Sequence, residues 1–590
     1  MRLWIRFSSL VRKCGDVFMV RKAGVDYREA CPVNDENGPR REGREKRGQT
    51  RFFQTAGKIE SVPVFRSVPV FRCVRLCFLF VVGVLIVPAF CWAEDSGAVP
   101  LETLQVRVRL ASAKTIELRS VAAITVRSAR GAKELPAGSY TIEAASVTAP
   151  GRRYHLFIKT FRPSEEAAAR EFVTQWQAHG YSAEVVMFGR KFSSATGGVI
   201  DNRSQWISVA QFDTEKQAES LRAHLERQHV FGWIVSERVG QGAATIRVVS
   251  GGHIMAEGAA PLTFASGAPL EVAGIDRGFW NSQEAALSFT GTLEGGPGPD
   301  GQMALTEIVP VEEYLAGVLP AEMPAGWPGE ALKAQAVAAR TEVLSALGGK
   351  HMLDGFDFCA TEHCRSYGGY TGHQPSTDAA LAETRGDVLV CGGRFAAAVF
   401  SANCGGCSEN NETVWSAPAD AALRSISDVK AGKRASWRDG GIEKWLERPP
   451  ACYCDHRTEN FRWTRRFSGK ELSELVNKTC RVGTVRNIEL LERGAGGRLT
   501  AVKIVGTAGA EVVRKELNIR LAFGGLPSAM FIVELARGPV SRSAFTFIGG
   551  GRGHGVGLCQ DGACGMALSG KTSGEILRHY FSNVDIARLH

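Results

Sequence analysis

One glutamate of this chain has a sequence context suited to acid–base chemistry. Glu322 has apolar neighbours in Ala321 and Met323, and a proline lies two residues away on either side. Apolar surroundings disfavour the ionised form of a carboxyl group and raise its pKa. Such a group keeps a proton near neutral pH that it can give to a leaving-group oxygen. The context therefore suits a general acid/base, with a surface or salt-bridged glutamate as the alternative.

A second group of residues has the spacing of metal ligands. His351 is followed by Cys359 and Cys364 in the pattern H-x7-C-x4-C, and His363 is adjacent to the last cysteine. Neutral imidazole and thiolates at such spacing suit a tetrahedral Zn2+ ion. A disulfide between the two cysteines is the alternative.

Four motifs, in order along about 300 residues, resemble the SpoIID/LytB family. The first is E-Y-L-A-G-V-L-P-A-E-M at 313–323, which leads into E-A-L-K-A-Q-A-V-A-A-R-T at 330–341. The second is the histidine–cysteine pattern, which ends in Tyr367 and Gly369. The remaining two are C-G-G-C-S-E followed by V-W at 404–415, and G-G-R-G-H-G-V-G-L-C-Q-D-G-A-C-G-M-A at 550–567. The family has serine-type residues where Cys404 stands.

The resemblance implies that Glu322 is the catalytic residue of a peptidoglycan lytic transglycosylase. A glycosidase with two carboxylates needs a second acid to activate water or to act as nucleophile. A lytic transglycosylase does not, because the C6 hydroxyl of the sugar attacks the anomeric carbon and one glutamate serves first as acid and then as base. The implied reaction is cleavage of the MurNAc–GlcNAc bond, with 1,6-anhydro ends, in peptide-free glycan strands left by an amidase.

Two other functions compete with this one. A hydrolase in the same fold would use water and leave reducing ends. A non-catalytic, glycan-binding scaffold would keep the fold without the reaction, although the retained Glu322 argues against it. The products of the reaction separate the three hypotheses.

The same resemblance implies further site residues. His351, Cys359 and Cys364 are carried over as zinc ligands, with a fourth ligand from water, substrate or another side chain; His363 is disfavoured for that position. This zinc would be structural or would shape the cleft. Arg340, His554 and Gln560 are predicted to bind substrate. For His554 and Gln560 the reason is that the dense glycines of the last motif let the backbone approach a sugar closely; a structural histidine is the alternative for His554.

The cysteines are concentrated in one part of the chain. Ten of the 15 follow residue 358, and none lies between 94 and 358. Eight of these ten lie outside the predicted zinc pair, which is enough for four disulfides of unknown connectivity. Cys404 and Cys407 with Cys452 and Cys454 could instead form a second zinc site. We predict disulfides in preference to that site.

The positive charge is also unevenly distributed. Residues 1–93 contain 17 Lys and Arg and 8 Asp and Glu, so they carry +9 of the formal net charge of +10. The remainder is nearly neutral, and nucleic-acid binding is not predicted. Basic residues followed by an apolar run over 76–90 and by C-W-A predict a secretory signal peptide, with an uncleaved membrane anchor as the alternative. An exported protein of the periplasm or cell envelope follows.

The segment 152–240 shows a duplicated β-α-β pattern. Each half has a strand ending in phenylalanine, an alanine-containing helix and a further strand. Two such halves predict a four-stranded antiparallel sheet backed by two helices. The pattern resembles the SPOR domain, whose members bind peptide-free glycan strands; a ferredoxin-like module without a ligand is the alternative.

The predicted fold class is α+β with several domains. Residues 1–72 are predicted to be a disordered leader, or to lie upstream of the natural start, and residues 73–93 form the signal peptide. A short β-rich segment at 95–150 precedes the ferredoxin-like βαββαβ, SPOR-like domain. A larger, mixed α+β SpoIID-type catalytic domain occupies 245–590. The predicted partners are glycan strands and a cell-wall amidase, with the membrane as a partner only if the signal segment is not cleaved.

Overall fold

The first strands form part of a β domain. The computed structural model describes residues 100–590, except 276–284, 350, 362, 416, 431–436 and 537–543. The predicted leader and signal peptide lie outside the described residues. The strands are β1 (Gln105–Ala113), β2 (Thr115–Ser120), β3 (Ile124–Ser128), β4 (Gly131–Leu135) and β5 (Gly138–Thr148). In β1 the apolar residues Val106, Val108 and Leu110 alternate with more exposed ones, as expected for a strand with one buried face.

A small α/β domain follows. Its elements are β6 (Gly151–Phe161), α1 (Glu166–Ala178), β7 (Glu184–Phe188), β8 (Lys191–Ser193), β9 (Val199–Asp201), β10 (Ser204–Phe212), α2 (Glu215–Glu226) and β11 (Trp233–Val239). Strands β11, β6, β10 and β7 form an antiparallel sheet in that order, and both helices contact it. The strand order is that of two interleaved β-α-β units. The resemblance to SPOR domains stays a prediction.

The two faces of this sheet have different neighbours. One face packs on the helices through Leu156, Val209 and Ala218. The aromatic residues of the other face cluster with Met352 and Leu353, which follow His351 in the chain. Met352 and Leu353 therefore cover part of this face of the sheet. Ser236 of β11 also donates a hydrogen bond of 3.1 Å to Asp354 Oδ1.

The chain then returns to the β domain. Its later strands are β12 (Ala243–Ser250), β13 (His253–Ala259), β14 (Leu262–Ser266), β15 (Leu270–Ile275), β16 (Ala285–Phe289), β17 (Thr292–Pro297) and β18 (Met303–Pro310). Strand β1 pairs with β18, and β5 pairs with β12. The predicted separate segment 95–150 and the boundary at 245 are thus wrong. Residues 105–148 and 243–310 build two sheets together, with the small domain inserted between them, because strand partners lie far apart in the sequence.

Two helices follow β18 and connect the β domain to the rest of the chain. The elements are α3 (Val311–Glu322), α4 (Gly329–Ala346), β19 (Phe358–Cys359), α5 (Pro375–Glu383), β20 (Asp387–Cys391), β21 (Arg394–Phe395), β22 (Phe400–Ser401) and α6 (Asn411–Val414). Helix α4 is buried on most of its circumference and contacts α3, α5 and β20. Its many alanines favour a helix and let neighbouring elements approach closely.

The C-terminal elements complete the mixed fold. They are α7 (Gly441–Glu447), α8 (Thr458–Phe461), β23 (Arg462–Ser468), α9 (Gly469–Val476), β24 (Val485–Arg493), β25 (Leu499–Gly506), β26 (Ala510–Arg514), α10 (Glu516–Ala522), β27 (Phe531–Ala536), β28 (Ala544–Gly550), β29 (Leu558–Cys559), α11 (Gln560–Leu568), α12 (Ser573–Tyr580) and β30 (Asp585–Arg588). Thr572 and Glu575 form a capping box at the start of α12, as their spacing in the sequence favours. The prediction of a multidomain α+β protein is confirmed. Of the helices in the described parts of the chain, none is both long and apolar enough to span a membrane.

A buried carboxyl group in β18 makes the stability of this fold depend on pH. Glu307 is fully buried, and its oxygens accept hydrogen bonds from Tyr367 Oη at 2.9 Å and from the Gly291 N–H at 3.0 Å. Burial raises its pKa from 4.5 to about 7. Below pH 4.5 the carboxyl group is protonated in both states and does not lower the free energy of unfolding. That free energy decreases as the pH rises from 4.5 through 7, because the buried group resists ionisation.

Glu307→Gln is expected to remove this decrease. The free energy of unfolding of the variant should exceed that of the wild type by roughly 3 kcal/mol at pH 8, since one pKa unit corresponds to 1.36 kcal/mol, and by much less at pH 5. Urea unfolding of both proteins at the two pH values measures the difference. An equal difference at both values would contradict the assignment to Glu307.

Candidate active site

The predicted catalytic glutamate is the last residue of α3. Although prolines flank this glutamate, Pro320 lies within the last helical turn and the helix continues to Glu322. Met323 ends the helix, donates its N–H to Leu319 O at 3.0 Å and is fully buried in the core next to α4. Glu322 itself is half-buried. Its carboxyl group is thus held at the surface by buried residues before and after it.

An open groove lies beside this helix end. It has a volume of about 340 Å³ and is lined mostly by small residues, among them Gly317, Ala321 and Gly368. A Cβ atom on Gly317 would lie 2.5 Å from the Tyr367 ring, so only glycine lets the loop at 368–372 pack against α3. The groove therefore exposes backbone and small side chains, which suits the close approach of a sugar ring.

Gln560 holds the backbone of the glutamate. This first residue of α11 is 8% exposed, and its Nε2 donates to Glu322 O at 2.8 Å and to Gln335 Oε1 at 3.5 Å. Gln560 was predicted to bind substrate. That role stays a prediction, and the structure shows the direct contact of Gln560 with Glu322.

The third and fourth motifs form one structural unit behind Gln560. Strands β22 and β29 pair in parallel, and the Glu409 N–H donates to Gly555 O at 2.8 Å. The guanidinium of Arg498 is fully buried and donates to Cys404 O at 3.1 Å and to Gly553 O at 3.3 Å. These bonds fix the glycine-rich segment, and with it the start of α11.

His554 lies in the same segment and is half-buried. Its ring centroid lies 5.0 Å from that of Trp415, and its Nδ1 accepts the Val556 N–H at 3.0 Å. Trp415 belongs to the third motif and packs on the same core as Met323. The predicted role of His554 in substrate binding stays a prediction.

The predicted metal ligands converge, and His363 joins them. One donor atom from each of His351, Cys359, His363 and Cys364 lies within 4.8 Å of the other three. The pKa of the Cys359 thiol is strongly lowered, chiefly by the neighbouring Cys364 against the effect of burial. Nδ1 of His351 lies 3.3 Å from Asp354 Oδ2, while its buried Nε2 has no hydrogen-bond partner among the described residues. A carboxylate on one imidazole nitrogen orients the other as a metal ligand.

A buried tyrosine lies close to both the glutamate and this cluster. Complete burial raises the pKa of Tyr314 most; Arg365 lowers it, and the charges of Cys364, Cys359 and Glu322 raise it further. Glu322 and the two cysteines of the cluster therefore both raise the pKa of the Tyr314 hydroxyl.

Arg365 is a buried cation that interacts with the same tyrosine. Burial alone would lower its pKa, but Glu342, Tyr314 and Glu322 raise it above its ordinary value. Its Nη2 lies 3.0 Å from Glu342 Oε2. The guanidinium thus balances negative charge from both Glu342 and Glu322.

Comparison with known proteins agrees with this site. The family model described as stage II sporulation protein (SpoIID) matches residues 299–391, which include α3, α4 and the histidine–cysteine cluster. An uncharacterized protein of Brachyspira hyodysenteriae is 30% identical over 301 residues, which are 51% of this chain and 72% of that protein. The chain belongs to the SpoIID family.

Two further relatives of this SpoIID protein carry descriptive names. Stage II sporulation protein D of Bacillus subtilis is 26% identical over 48% of this chain and 75% of its own length. The amidase enhancer of Bacillus subtilis is 29% identical over 45% of this chain, but the match spans only 39% of that relative. A model described as a domain of unknown function (DUF8618) matches residues 409–557.

The structure gives Arg340 of this SpoIID protein a different role from the predicted one. Its side chain is fully buried, with Nε 2.6 Å from Glu312 Oε1 and Nη2 2.8 Å from Glu312 Oε2. It also donates to the carbonyl oxygens of Leu381 and Asp387, both at 3.2 Å. The prediction that Arg340 binds substrate is therefore wrong, because its guanidinium has no exposed surface. Glu312 is its ion-pair partner.

The predicted disulfides stay a prediction. Within the described residues, no disulfide bond joins any of the ten cysteines. Cys407 Sγ lies 3.7 Å from Ser425 Oγ, and Cys452 Sγ lies 3.2 Å from Pro450 O, so their neighbours are oxygen atoms. The thiols of Cys359 and Cys364 belong to the four-residue cluster and do not form the alternative disulfide.

Sequence reasoning missed three parts of this SpoIID site. His363 was set aside because it adjoins Cys364, although the turn there lets both side chains face the cluster. Arg365 follows the same cysteine, and Tyr314 lies in the first motif, so both were within quoted segments. Their burial next to Glu322 was the missing observation, and a single sequence does not show it.

Proposed function

We propose that this protein is a peptidoglycan lytic transglycosylase with Glu322 as general acid/base. The observation that carries the proposal is a half-buried glutamate held at a helix end beside an open groove of small residues. The names of its relatives, stage II sporulation protein D and amidase enhancer, fit a role at the cell wall. An exported protein acting in the periplasm or cell envelope follows from this role.

In the proposed reaction one carboxyl group acts twice. Protonated Glu322 gives its proton to the glycosidic oxygen as the bond from that oxygen to the anomeric carbon of MurNAc breaks. The resulting carboxylate then takes the proton of the C6 hydroxyl, whose oxygen bonds to the same anomeric carbon. The products are a 1,6-anhydro end and a new free hydroxyl end, and Glu322 regains its proton.

One carboxyl group is enough for this reaction. Glycosidases with two carboxylates place the second group across the scissile bond. A single carboxyl group suffices when the attacking hydroxyl belongs to the substrate.

The test is mass spectrometry of the soluble products formed from peptide-free glycan strands by the purified full-length protein. Fragments with 1,6-anhydro ends are expected. Reducing ends would indicate a hydrolase. Binding of the strands without cleavage, before and after amidase treatment of intact walls, would indicate a glycan-binding scaffold.

Gln560→Met tests how the glutamate is positioned. Methionine has a similar volume but cannot donate to Glu322 O, so the helix end should lose part of its alignment. We expect kcat to fall about tenfold, on the scale of one lost hydrogen bond of about 1.4 kcal/mol, with little change in KM. A substrate contact, as first predicted, would raise KM instead, and steady-state kinetics on soluble strands separates the two roles.

We also propose that His351, Cys359, His363 and Cys364 hold a Zn2+ ion. Two thiolates and two imidazoles form a closed tetrahedral set, which is typical of structural zinc. Cys359→Ser should lower the zinc content by one ion per chain, measured by elemental analysis of purified protein. Zinc content unchanged from wild type would contradict this assignment. The ion would stabilise the segment that carries Arg365.

For the small domain we propose binding to glycan strands, and a cell-wall amidase as the functional partner. The domain contacts the proposed zinc site through Ser236 and Asp354, so strands bound there would lie near the groove. Deletion of the small domain should weaken pelleting of the protein with purified cell walls. Cleavage of short soluble strands should stay unchanged.

A further inference from the structure

A second group of donor atoms lies in the core, away from the predicted zinc ligands. Cys404, Asp428, Cys454 and Cys559 are all buried, at most 1% exposed, and one donor atom from each lies within 4.8 Å of the others. They come from four separate segments: the loop after β22, the loop before α7, the turn at 453–456 and the residue before α11. No step of the proposed reaction uses them.

The distance between two of the sulfurs fits a shared ion. Cys404 Sγ and Cys454 Sγ are 3.7 Å apart. Two thiolates on one tetrahedral zinc, each about 2.3 Å from the ion, are about 3.8 Å apart. A disulfide would require about 2.0 Å and would leave the third thiol and the carboxylate buried without a shared partner.

The surrounding groups hold two of these donors, Cys559 and Asp428, in the form that a metal needs. The N–H groups of Cys404 and Gly562 donate to Cys559 Sγ at 3.2 and 3.3 Å, and Cys559 is the N-cap of α11. Both kinds of contact favour a thiolate. Tyr580 Oη donates to Asp428 Oδ1 at 2.6 Å, and the Cys454 N–H donates to Oδ2 at 3.0 Å. The carboxylate is thus oriented by its neighbours, as metal-ligating carboxylates are.

We propose that Cys404, Cys454, Cys559 and Asp428 bind a second Zn2+ ion. Three thiolates and one carboxylate complete a tetrahedral site without an open position, which is typical of a structural zinc. The cluster differs from the one that the C-x2-C and C-x-C spacings suggested, since Cys407 and Cys452 are not part of it. The ion would join the third and fourth motifs directly behind Gln560. The proposal does not depend on glycan cleavage.

Elemental analysis of the purified full-length protein tests this site. Wild type is expected to carry one more zinc ion per chain than Cys559→Ser or Asp428→Asn. The Asp428→Asn variant keeps the shape of the side chain, so it guards against simple misfolding. Cys452→Ser is the matched control, because its thiol is buried two residues from Cys454 but outside the cluster, and its zinc content should equal that of wild type.

Two results would overturn the proposal. One is equal zinc content in wild type and in both ligand variants. The other is a Cys404–Cys454 disulfide in peptides of the wild-type protein digested after alkylation without reductant. The expected result is alkylation of all three cysteines once the protein is unfolded with a chelator, and protection of all three in the native protein.

Discussion

Glu322→Gln is expected to lower the rate of glycan-strand cleavage by roughly 10²- to 10⁴-fold, the usual contribution of one general acid/base. Glutamine keeps the size and polarity of the side chain but can neither donate the proton to the glycosidic oxygen nor accept one from the C6 hydroxyl. The side chain is half-buried at a helix end, so the fold should not change. Release of anhydro-ended fragments, followed over time by chromatography, measures the rate.

The control for this experiment lies on the same helix. Glu313 is 38% exposed, and its Oε1 accepts a hydrogen bond of 3.0 Å from Thr290. Glu313→Gln should leave the rate within a factor of two or so of wild type, the effect expected of a surface substitution. Wild-type activity in the Glu322 variant, or an equal loss in both variants, would show that another group transfers the proton.

Local patterns in the sequence were sufficient for much of this site. The alternation in β1, the alanine-rich α4 and the capping box of α12 depend on neighbouring residues, and each element has the predicted type. The histidine–cysteine spacing likewise brought three donors together within a short segment. Features that depend on a few consecutive residues can be predicted from one sequence.

Contacts between distant residues could not be predicted in this way. Strand β1 pairs with β18 almost two hundred residues later, and Gln560 contacts Glu322 across 238 positions. The second cysteine cluster combines segments that span 155 positions of the chain, so its members could not be told from Cys407 and Cys452 by spacing. These contacts depend on tertiary packing, which leaves no periodic pattern in a single chain.

The contacts of Arg340 also could not be predicted from the sequence. Its substitution is expected to have the largest effect on stability. The resemblance of its motif to the family suggested a substrate contact, whereas the side chain forms a two-point ion pair with Glu312 in the core. Removing one partner of a buried pair leaves the other charge uncompensated. Arg340→Ala should therefore lower the free energy of unfolding by roughly 3–5 kcal/mol, measured by urea unfolding near neutral pH.

Two further variants separate charge from geometry at this pair. Arg340→Lys keeps the charge but cannot form both bonds to the carboxylate or reach both carbonyl oxygens, so we expect an intermediate loss of stability. Replacing Arg340 and Glu312 together by methionine removes both buried charges and should cost less than Arg340→Ala alone. KM of the lysine variant, measured where it is fully folded, should match wild type. A raised KM with unchanged stability would instead support the hypothesis that Arg340 contacts substrate. The complete burial of this guanidinium argues against that hypothesis.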